Sequence, residues 1–465
     1  MALSPGKSGL PGPATIAIMG PCGVQTMTQK NPLGAALSAV LMAVVFLFFV
    51  PCLAGKGTSP AGVTFTLENG LKVLGRPVPS ASSVALVVLF DIGEYQDPAG
   101  ASGLAHLVDH LYLTAASGPW KSRPFEEFIS RYPLGWNAQT GSGYTALATV
   151  FAPENLEAEL AEAASRLKEV RVTATDLARE KPRVMAELYN MDAGIPVLAG
   201  LNRGREMVRP SPRGGRKGGL ESEVAAITLA QVQDRLSTYY KPANATLALA
   251  GAFDGQKAQA LINRLFGNIP SGRKSPRIPP PQKPGQSADE YLELRINTAR
   301  SASLAFLVFA APLPQDPLYP AFLLLTARLS QSAWRSKGGP ITLHFAPLDD
   351  PEVLGISAAL RPGESGKAVV GRLRAFLRES LDDAQKPADV LVAKNIFGLL
   401  LGFPGIPDAA FSQNTYGLAF SLARRHQLEI DGLRLAKAME NISAADFSAA
   451  ARVFEDGRSA AVIVK

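Results

Sequence analysis

The sequence contains very few of the side chains that hold metals through sulfur. Its 465 residues include two cysteines, Cys22 and Cys52, and both precede residue 55. The remaining chain therefore has no thiol, which excludes a disulfide framework, a thiolate metal site and a cysteine nucleophile there. Histidine is scarce as well, with four in the whole chain. Any metal bound by the body of the protein must be held by imidazole and carboxylate groups.

The chain also lacks a concentrated charge of either sign. Hydrophobic residues make up 47% and charged residues 19% of it, which indicates a globular protein. The formal net charge of +7 is too diffuse to indicate nucleic acid binding. The densest basic stretch, residues 203–217, is rich in glycine and proline and contains no aromatic residue. We interpret this stretch as a solvated loop.

Charged residues are absent from one long apolar segment near the N-terminus. Residues 34–54 follow Lys30 and are long enough to span a bilayer. Cys52 and Ala54 are small residues at the two positions that an export signal peptidase reads. We predict a cleaved signal peptide over residues 1–54 and a mature chain from Gly55, with an uncleaved membrane anchor as the alternative. In both cases the body of the protein is exported, either periplasmic or membrane-anchored and facing outside the cytoplasm.

The order of predicted strands and helices indicates two α+β halves. In the first half, Asn69-Gly70 between two apolar runs predicts a hairpin, and Val84–Phe90 predicts a buried strand. Residues 270–285 contain six prolines and are typical of a linker. Beyond the linker, strands and helices alternate again. We expect peptidase-like domains at 55–269 and 286–465, each a mainly antiparallel sheet with helices packed on one face.

Two of the four histidines lie close together on one predicted helix. Residues Gly103–Leu113 are predicted to be helical, and Ser102 is available as the cap. His106 and His110 are four residues apart, so both imidazoles lie on one helix face, flanked by Asp109. This grouping predicts a metal site.

Two imidazoles do not complete a catalytic zinc site, which usually has three protein ligands. The other histidines, His344 and His426, lie in the second half, so we expect a carboxylate as the third ligand. A predicted helix over Thr175–Asn190 offers Glu180 and Glu187, seven residues apart and near one face. On spacing alone, a pair of acids on a helix is more typical of a solvated surface, and that alternative stays open.

These residues together resemble a known motif. Residues 103–110, followed 77 residues after His110 by Glu187, are similar to the inverted zinc motif His-x-x-Glu-His of pitrilysin/insulinase-type metallopeptidases. The resemblance covers Val63 to Pro270 well and is weaker over Ala302 to Lys465. The other residues that support it are Gly93, Asn137, Ala138, Tyr240, Pro242, Asn244, Leu247, Gly251 and Asp254.

The resemblance implies a zinc endopeptidase or oligopeptidase acting on unfolded peptides. It assigns zinc to His106, His110 and Glu187, and places Asp109 where the family has a glutamate as general base. Glu180 stands where the family often has a second, supporting glutamate. Aspartate is shorter than glutamate by ~1.5 Å. A general base must come within about 2.6–3.2 Å of the atom that gives up its proton, so this departure bears directly on activity.

The resemblance also implies how a peptide substrate would bind. Asn137 and Ala138 would lie on an edge strand that pairs with an extended peptide. Arg335 matches a substrate-holding arginine, but Thr342 stands where active members have a tyrosine. The alternative function is therefore a catalytically weak subunit that binds peptide or pairs with an active partner, as a homodimer or as a heterodimer with a related subunit.

Overall fold

The structure is a computed structural model. The residues that it describes are 62–210, 217–277, 291–296, 303–334, 336, 339–381, 387–403, 408–455 and 459–465. The predicted export segment, Arg335 and the second half of the predicted linker lie outside these residues. None of the helices in the described ranges is long and apolar enough to cross a membrane.

The first half is built on a mixed sheet with the strand order β1-β2-β6-β3-β5-β4. Neighbouring strands are antiparallel except β2 and β6, which are parallel. The predicted hairpin at Asn69-Gly70 is confirmed, and Gly70 adopts a φ of 90° that favours glycine. The strands are β1 (Val63–Thr66), β2 (Lys72–Pro77), β3 (Val84–Phe90), β4 (Trp136–Thr140), β5 (Thr145–Phe151) and β6 (Ala245–Gly251).

Most helices of the first half pack on one face of this sheet. Their apolar side chains join those of the even-numbered residues of β3 in one core. The helices are α1 (Leu104–Thr114), α2 (Phe125–Arg131), α3 (Leu156–Lys168), α4 (Ala174–Tyr189), α5 (Pro196–Val208), α6 (Glu221–Ala226), α7 (Leu229–Tyr239) and α8 (Gly255–Phe266).

The second half repeats this plan with the strand order β7-β11-β8-β10-β9. Its one parallel pair in the described ranges, β7 and β11, corresponds to β2 and β6. The predicted α+β class is confirmed. The strands are β7 (Tyr291–Leu294), β8 (Leu304–Ala310), β9 (Ile341–Ala346), β10 (Asp350–Ala359) and β11 (Ser459–Val464). The helices are α9 (Tyr319–Trp334), α10 (Gly366–Leu381), α11 (Pro387–Leu401), α12 (Thr415–Gln427), α13 (Gly432–Glu440) and α14 (Ala444–Ala451).

Each half also sends one helix onto the far face of the other half's sheet. Helix α12 packs against the odd-numbered residues of β3 and the small side chains of β5 and β6. Helix α5 packs against β8 and β11. Gly200 and Gly204 allow this close approach, because a Cβ on either would lie 2.3 Å from the Phe306 or Val308 side chain. Because helices cover both faces of the first sheet, β3 is buried at every position.

The prediction of a solvated loop over residues 203–217 is wrong where the structure describes it. Residues 203–208 are the last part of α5, and the Arg205 side chain is buried. Lys217 is 23% exposed and lies 3.5 Å from Asp350. Charge and glycine content suggested solvent exposure. The glycines instead allow close packing, and acids of the second half pair with the charges.

The expected cap of α1 is also wrong. Gly103, with a φ of 87°, is the N-cap residue, and the two Asp97 oxygens accept hydrogen bonds from the N–H groups of Gly103 and Ala105, both at 3.0 Å. Ser102 instead accepts the N–H of Leu220 at 3.0 Å. A carboxylate six residues upstream reaches the helix end through a turn that local sequence does not reveal.

Helix α4 starts slightly earlier than expected. Thr173 is its N-cap residue and forms a reciprocal capping box with Asp176. Pro182 lies inside the helix, which continues to Tyr189. The helix therefore carries both Glu180 and Glu187 along the side of α1.

Candidate metal centre

Helices α1 and α4 bring two histidines and one glutamate to a common point. The Nε2 atom of His106 lies 3.3 Å from Oε2 of Glu187, and the Nε2 atom of His110 lies 3.5 Å from the same oxygen. A tetrahedral zinc with bonds of about 2.0–2.1 Å separates neighbouring ligand atoms by roughly 3.3–3.4 Å. The two distances to Glu187 therefore match the spacing that such an ion requires.

The opposite nitrogen of each imidazole faces an oxygen acceptor. His106 Nδ1 lies 3.3 Å from the Gly218 carbonyl oxygen, and His110 Nδ1 lies 3.6 Å from Oε2 of Glu180. A proton on each Nδ1 leaves the Nε2 lone pair directed at the common point, the tautomer that a metal needs. Glu180 is fully buried and also accepts a hydrogen bond from Arg179 at 2.9 Å. The position of Glu180 beside His110 agrees with the role of a supporting glutamate that the resemblance implies.

Asp109 lies beside the same point with one oxygen held and one oxygen available. Its Oδ2 accepts a hydrogen bond from the Thr140 hydroxyl. Its buried Oδ1 has no hydrogen-bond partner within the described ranges and lies 3.9 Å from Nε2 of His110. Among the described residues, His106, Asp109 and His110 form a group whose ligand atoms lie within 4.8 Å of one another, and Glu187 is not part of that group. Asp109 therefore lies beside both histidines, where the resemblance places the general base.

The electrostatics of the centre favour a bound cation. Burial raises the pKa of Asp109. Burial acts in the same direction on Glu187, but hydrogen bonds from both histidines lower the pKa of its carboxyl below the usual range. Burial by itself would lower the pKa of His110, yet contacts with Glu180 and Glu187 raise it to about 10. Without a metal the carboxylates retain protons on the imidazoles, and a divalent cation supplies the same compensating charge.

A cleft of about 170 Å³ opens onto this centre and has an apolar wall. The rings of Phe125 and Trp136 meet edge to face with centroids 4.9 Å apart, and His110 stacks on Phe125 at 6.0 Å. All the described residues that line the cleft belong to the first half. They are Glu94, His106, Asp109, His110, Leu113, Phe125, Trp136, Ala138, Gln139, Thr140, Glu187, Met191, Lys217 and Gly218.

The residues predicted to hold substrate are not all brought to the cleft. Asn137 and Ala138 lie in β4, at the edge of the first sheet, and Ala138 lines the cleft. The Asn137 amide instead donates to the Tyr416 hydroxyl of α12 at 2.6 Å. Thr342 is an exposed residue of β9 and does not line the cleft, while Arg335 lies outside the described residues.

Sequence reasoning missed several residues around the centre. Glu94, Thr140, Lys217 and Gly218 all line the cleft or contact a histidine or Asp109. The adjacent glycines at 218 and 219 were an available signal. It was a weak one, because Lys-Gly-Gly is also an ordinary loop sequence.

Comparison with known proteins identifies the fold and then the family. A protease from Helicobacter pylori has a TM-score of 0.72 at 19% identity, with 88% of this chain and 100% of that chain covered. The periplasmic protease PqqL from Escherichia coli has a TM-score of 0.67 at 16% identity, with 88% and 48% covered. The architecture is the two-domain α+β fold of these proteases. Residues 72–208 match the model "Insulinase (Peptidase family M16)", and residues 226–389 match "Peptidase M16 inactive domain". The chain belongs to the insulinase (M16) family, as the resemblance predicted.

Curated relatives match over part of their length. The zinc protease PqqE of Helicobacter pylori is 24% identical over 215 residues, which cover 45% of this chain and 48% of that protein. The mitochondrial-processing peptidase subunit beta of Saccharomyces cerevisiae is 23% identical over 231 residues, which cover 48% and 49%. In these alignments the chain spans about half the length of the curated relatives it matches.

Proposed function

We propose that this chain is an exported, zinc-dependent peptidase that hydrolyses extended peptides. One observation carries the proposal: the Nε2 atoms of His106 and His110 lie 3.3 and 3.5 Å from a single oxygen of Glu187. Relatives that are named zinc proteases support the choice of metal.

The chain's own residues supply the proton transfers of hydrolysis. Zinc held by His106, His110 and Glu187 would polarise the scissile carbonyl and make water nucleophilic near neutral pH. Asp109 Oδ1 accepts a proton as the water oxygen bonds to the carbonyl carbon, and returns a proton to the leaving nitrogen as the C–N bond breaks. Thr140 holds the other Asp109 oxygen, which fixes the direction of the carboxylate.

The substrate would bind along β4 through its main chain. This strand is at the sheet edge, so its outer backbone groups have no neighbouring strand within the described residues. Because the Asn137 amide contacts Tyr416, pairing through backbone groups explains recognition better than side-chain contacts at Asn137 do. The wall of Phe125 and Trp136 would accept an apolar side chain next to the scissile bond.

A second function, a catalytically weak subunit that binds peptide, is favoured by a different observation. The described lining of the cleft comes from the first half alone, and Thr342 is exposed elsewhere. Such a chain would require a related partner subunit to supply the substrate-holding groups. Asp109 has a shorter reach than a glutamate, which also favours weak catalysis.

The first experiment measures zinc content and cleavage of an unfolded peptide by the purified full chain and its Asp109 variants. We expect about one zinc per chain. Asp109→Glu should raise cleavage by no more than the roughly 10²–10⁴-fold of general acid–base catalysis. Asp109→Asn should abolish cleavage while zinc content stays unchanged, because Asp109 is not a proposed ligand. Wild-type activity that survives Asp109→Asn would exclude Asp109 as the base.

The same measurements separate the two functions. For a binding subunit, Asp109→Glu leaves cleavage at background although zinc is bound. A gain that requires Asp109→Glu together with Thr342→Tyr would place the defect in both halves. Recovery of cleavage on addition of a related subunit would establish the paired form.

Export is tested independently by N-terminal sequencing of the protein from the producing cell. A mature chain that begins near Gly55 is expected, because Cys52 and Ala54 fit the cleavage pattern. An intact N-terminus in the membrane fraction would instead establish an anchor through residues 34–54.

A further inference from the structure

Lys217, Gly218 and Gly219 form a short segment, here called the 217–219 strap, that lies between α1 and α4. Gly218 and Gly219 have φ values of 80° and 111°, which favour glycine. A Cβ on Gly218 would lie 2.7 Å from the Leu188 side chain of α4, and one on Gly219 would lie 2.5 Å from Cα of Gly103 at the start of α1. The strap is therefore packed closely against the two helices that carry the metal centre.

The backbone of Gly218 is held at both its N–H group and its carbonyl oxygen. Its N–H donates to Oε1 of Glu94 at 2.8 Å, and its carbonyl oxygen lies 3.3 Å from Nδ1 of His106. A carbonyl that accepts from the outer nitrogen of a metal-binding histidine fixes both the tautomer and the ring orientation. Displacing the strap would therefore remove the contact that orients the His106 ring.

The remaining residue of the strap contacts the second half of the molecule. Lys217 Nζ lies 3.5 Å from Oδ2 of Asp350, the first residue of β10, and the two side chains are 23% and 18% exposed. The same Asp350 oxygen lies 3.3 Å from Nε of Arg205. Asp350 therefore keeps a cationic partner when Lys217 is replaced.

We propose that Lys217 and Asp350 are positioning residues for the metal centre. Their ion pair, made between the two halves, fixes the strap so that the Gly218 carbonyl holds His106 in its metal-binding orientation. The second half thus controls zinc affinity without contributing a ligand. The inference depends on the proposed zinc site and adds a coupling that the ligands alone do not imply.

The test measures the zinc dissociation constant of the full chain by competition with a chelator. Lys217→Met and Asp350→Asn should each weaken zinc binding by about 10–100-fold, as changes in groups that orient ligands do. The double variant should bind no more weakly than Asp350→Asn alone, because Asp350→Asn already removes the Lys217 pair together with the Arg205 contact. Lys217→Arg keeps the positive charge and should bind zinc with nearly the wild-type affinity.

A matched control comes from the neighbouring carboxylate. Asp349 accepts hydrogen bonds from Gln139 and from the Tyr144 hydroxyl, so it joins the same turn of the second half to the first half. Its charge acts on Lys217 only from beyond ion-pair distance. Asp349→Asn should change zinc affinity by less than about twofold. If Asp349→Asn and Asp350→Asn weaken zinc binding equally, the cause is general loosening between the halves, and the proposal is overturned.

Cobalt substitution gives a readout that does not depend on activity. Lys217→Met should change the intensity of the visible absorption bands of the Co²⁺ form, because His106 changes orientation. If the wild type binds zinc and Lys217→Met binds it with the same affinity, the proposed role of the strap is overturned but the zinc site is not. A wild-type chain that binds no zinc overturns the proposed function as well. If Lys217→Met does not fold, Lys217→Gln replaces it with the same expectations.

Discussion

The two halves contain corresponding helix pairs that differ in how their polar contacts are made. Helix α1 follows β3 and packs against α4, and helix α9 follows β8 and packs against α11. In the first pair, two histidines face Glu180 and Glu187. In the second pair, Arg328 lies 2.5 Å from Asp389, and both side chains are buried. One arrangement of helices therefore encloses an acidic site in one half and a completed ion pair in the other.

The difference shows where this fold can hold a metal. The guanidinium of Arg328 is a permanent cation, so the second helix pair neutralises its buried acid with its own side chain. The histidines of the first pair can be neutral. Arg179 balances Glu180, which leaves Asp109 and Glu187 to be balanced by protons or by a divalent ion. The duplicated architecture places the helices, and the charge of a few side chains decides whether they bind a metal.

Removing the cation of the second pair is expected to have the largest effect. Arg328→Met should destabilise the protein by about 3–5 kcal/mol, because it leaves the Asp389 carboxylate buried without its guanidinium. Adding Asp389→Leu should recover most of the loss. Urea denaturation monitored by circular dichroism measures both changes. Equal stabilities for wild type and Arg328→Met would mean that the pair does not hold α9 and α11 together.

Removing a carboxylate from the first pair should affect the metal more than the fold. Glu187→Gln should weaken zinc binding by more than about 100-fold, or about 2.7 kcal/mol, because it removes a proposed ligand. Glu180→Gln removes an orienting group and should cost less, about 10–100-fold. Chelator competition measures both, with His344→Ala as a control in the second half. A larger loss for Glu180→Gln than for Glu187→Gln would reverse their assigned roles.

The packing of α5 on the second sheet gives a third comparison. Gly204→Ala should cost about 1–3 kcal/mol, because the added Cβ would lie 2.3 Å from the Val308 side chain. Gly371→Ala in α10 meets nothing within 4 Å and should stabilise the protein by roughly 0.5–1 kcal/mol. Thermal unfolding of the two variants measures the difference. Stabilisation by both changes would contradict the close approach of α5 to β8.

The smallest expected effect concerns a histidine outside the metal centre. Burial lowers the pKa of His344 from 6.5 to about 4. The unfolded chain therefore binds a proton at His344 before the folded chain does, so this group reduces stability as the pH falls from about 6.5 to about 4. Because His344 is partly exposed, we expect a contribution of about 1 kcal/mol between pH 7 and pH 5.

His344→Gln should remove that part of the pH dependence. Urea denaturation at both pH values, with chelator present to keep the metal centre empty, measures the difference from wild type. The same slope in both proteins would show that His344 is accessible to protons in the folded state.

Sequence patterns predicted the elements that have strong local signals. The apolar run of β3 and the Asn69-Gly70 turn were confirmed, because strand burial and turn geometry follow from neighbouring residues. Helix α5 was interpreted as a loop over its last residues, since its packing surface is formed by two glycines. Helices α5, α6, α11, α12 and α13 were not predicted. The boundaries at residues 54, 269 and 285 stay predictions.

The sequence by itself determined the chemistry available to the metal centre. The lack of cysteine after residue 55 left imidazole and carboxylate ligands, and the spacing of His106 and His110 placed both rings on one helix face. Only the tertiary structure decided which distant groups complete the centre. Gly218 contacts His106, and Asp350 contacts the neighbouring Lys217, although these segments lie far apart in the chain. Helix periodicity is a local property of the backbone, whereas the orientation of a ligand depends on how whole elements pack.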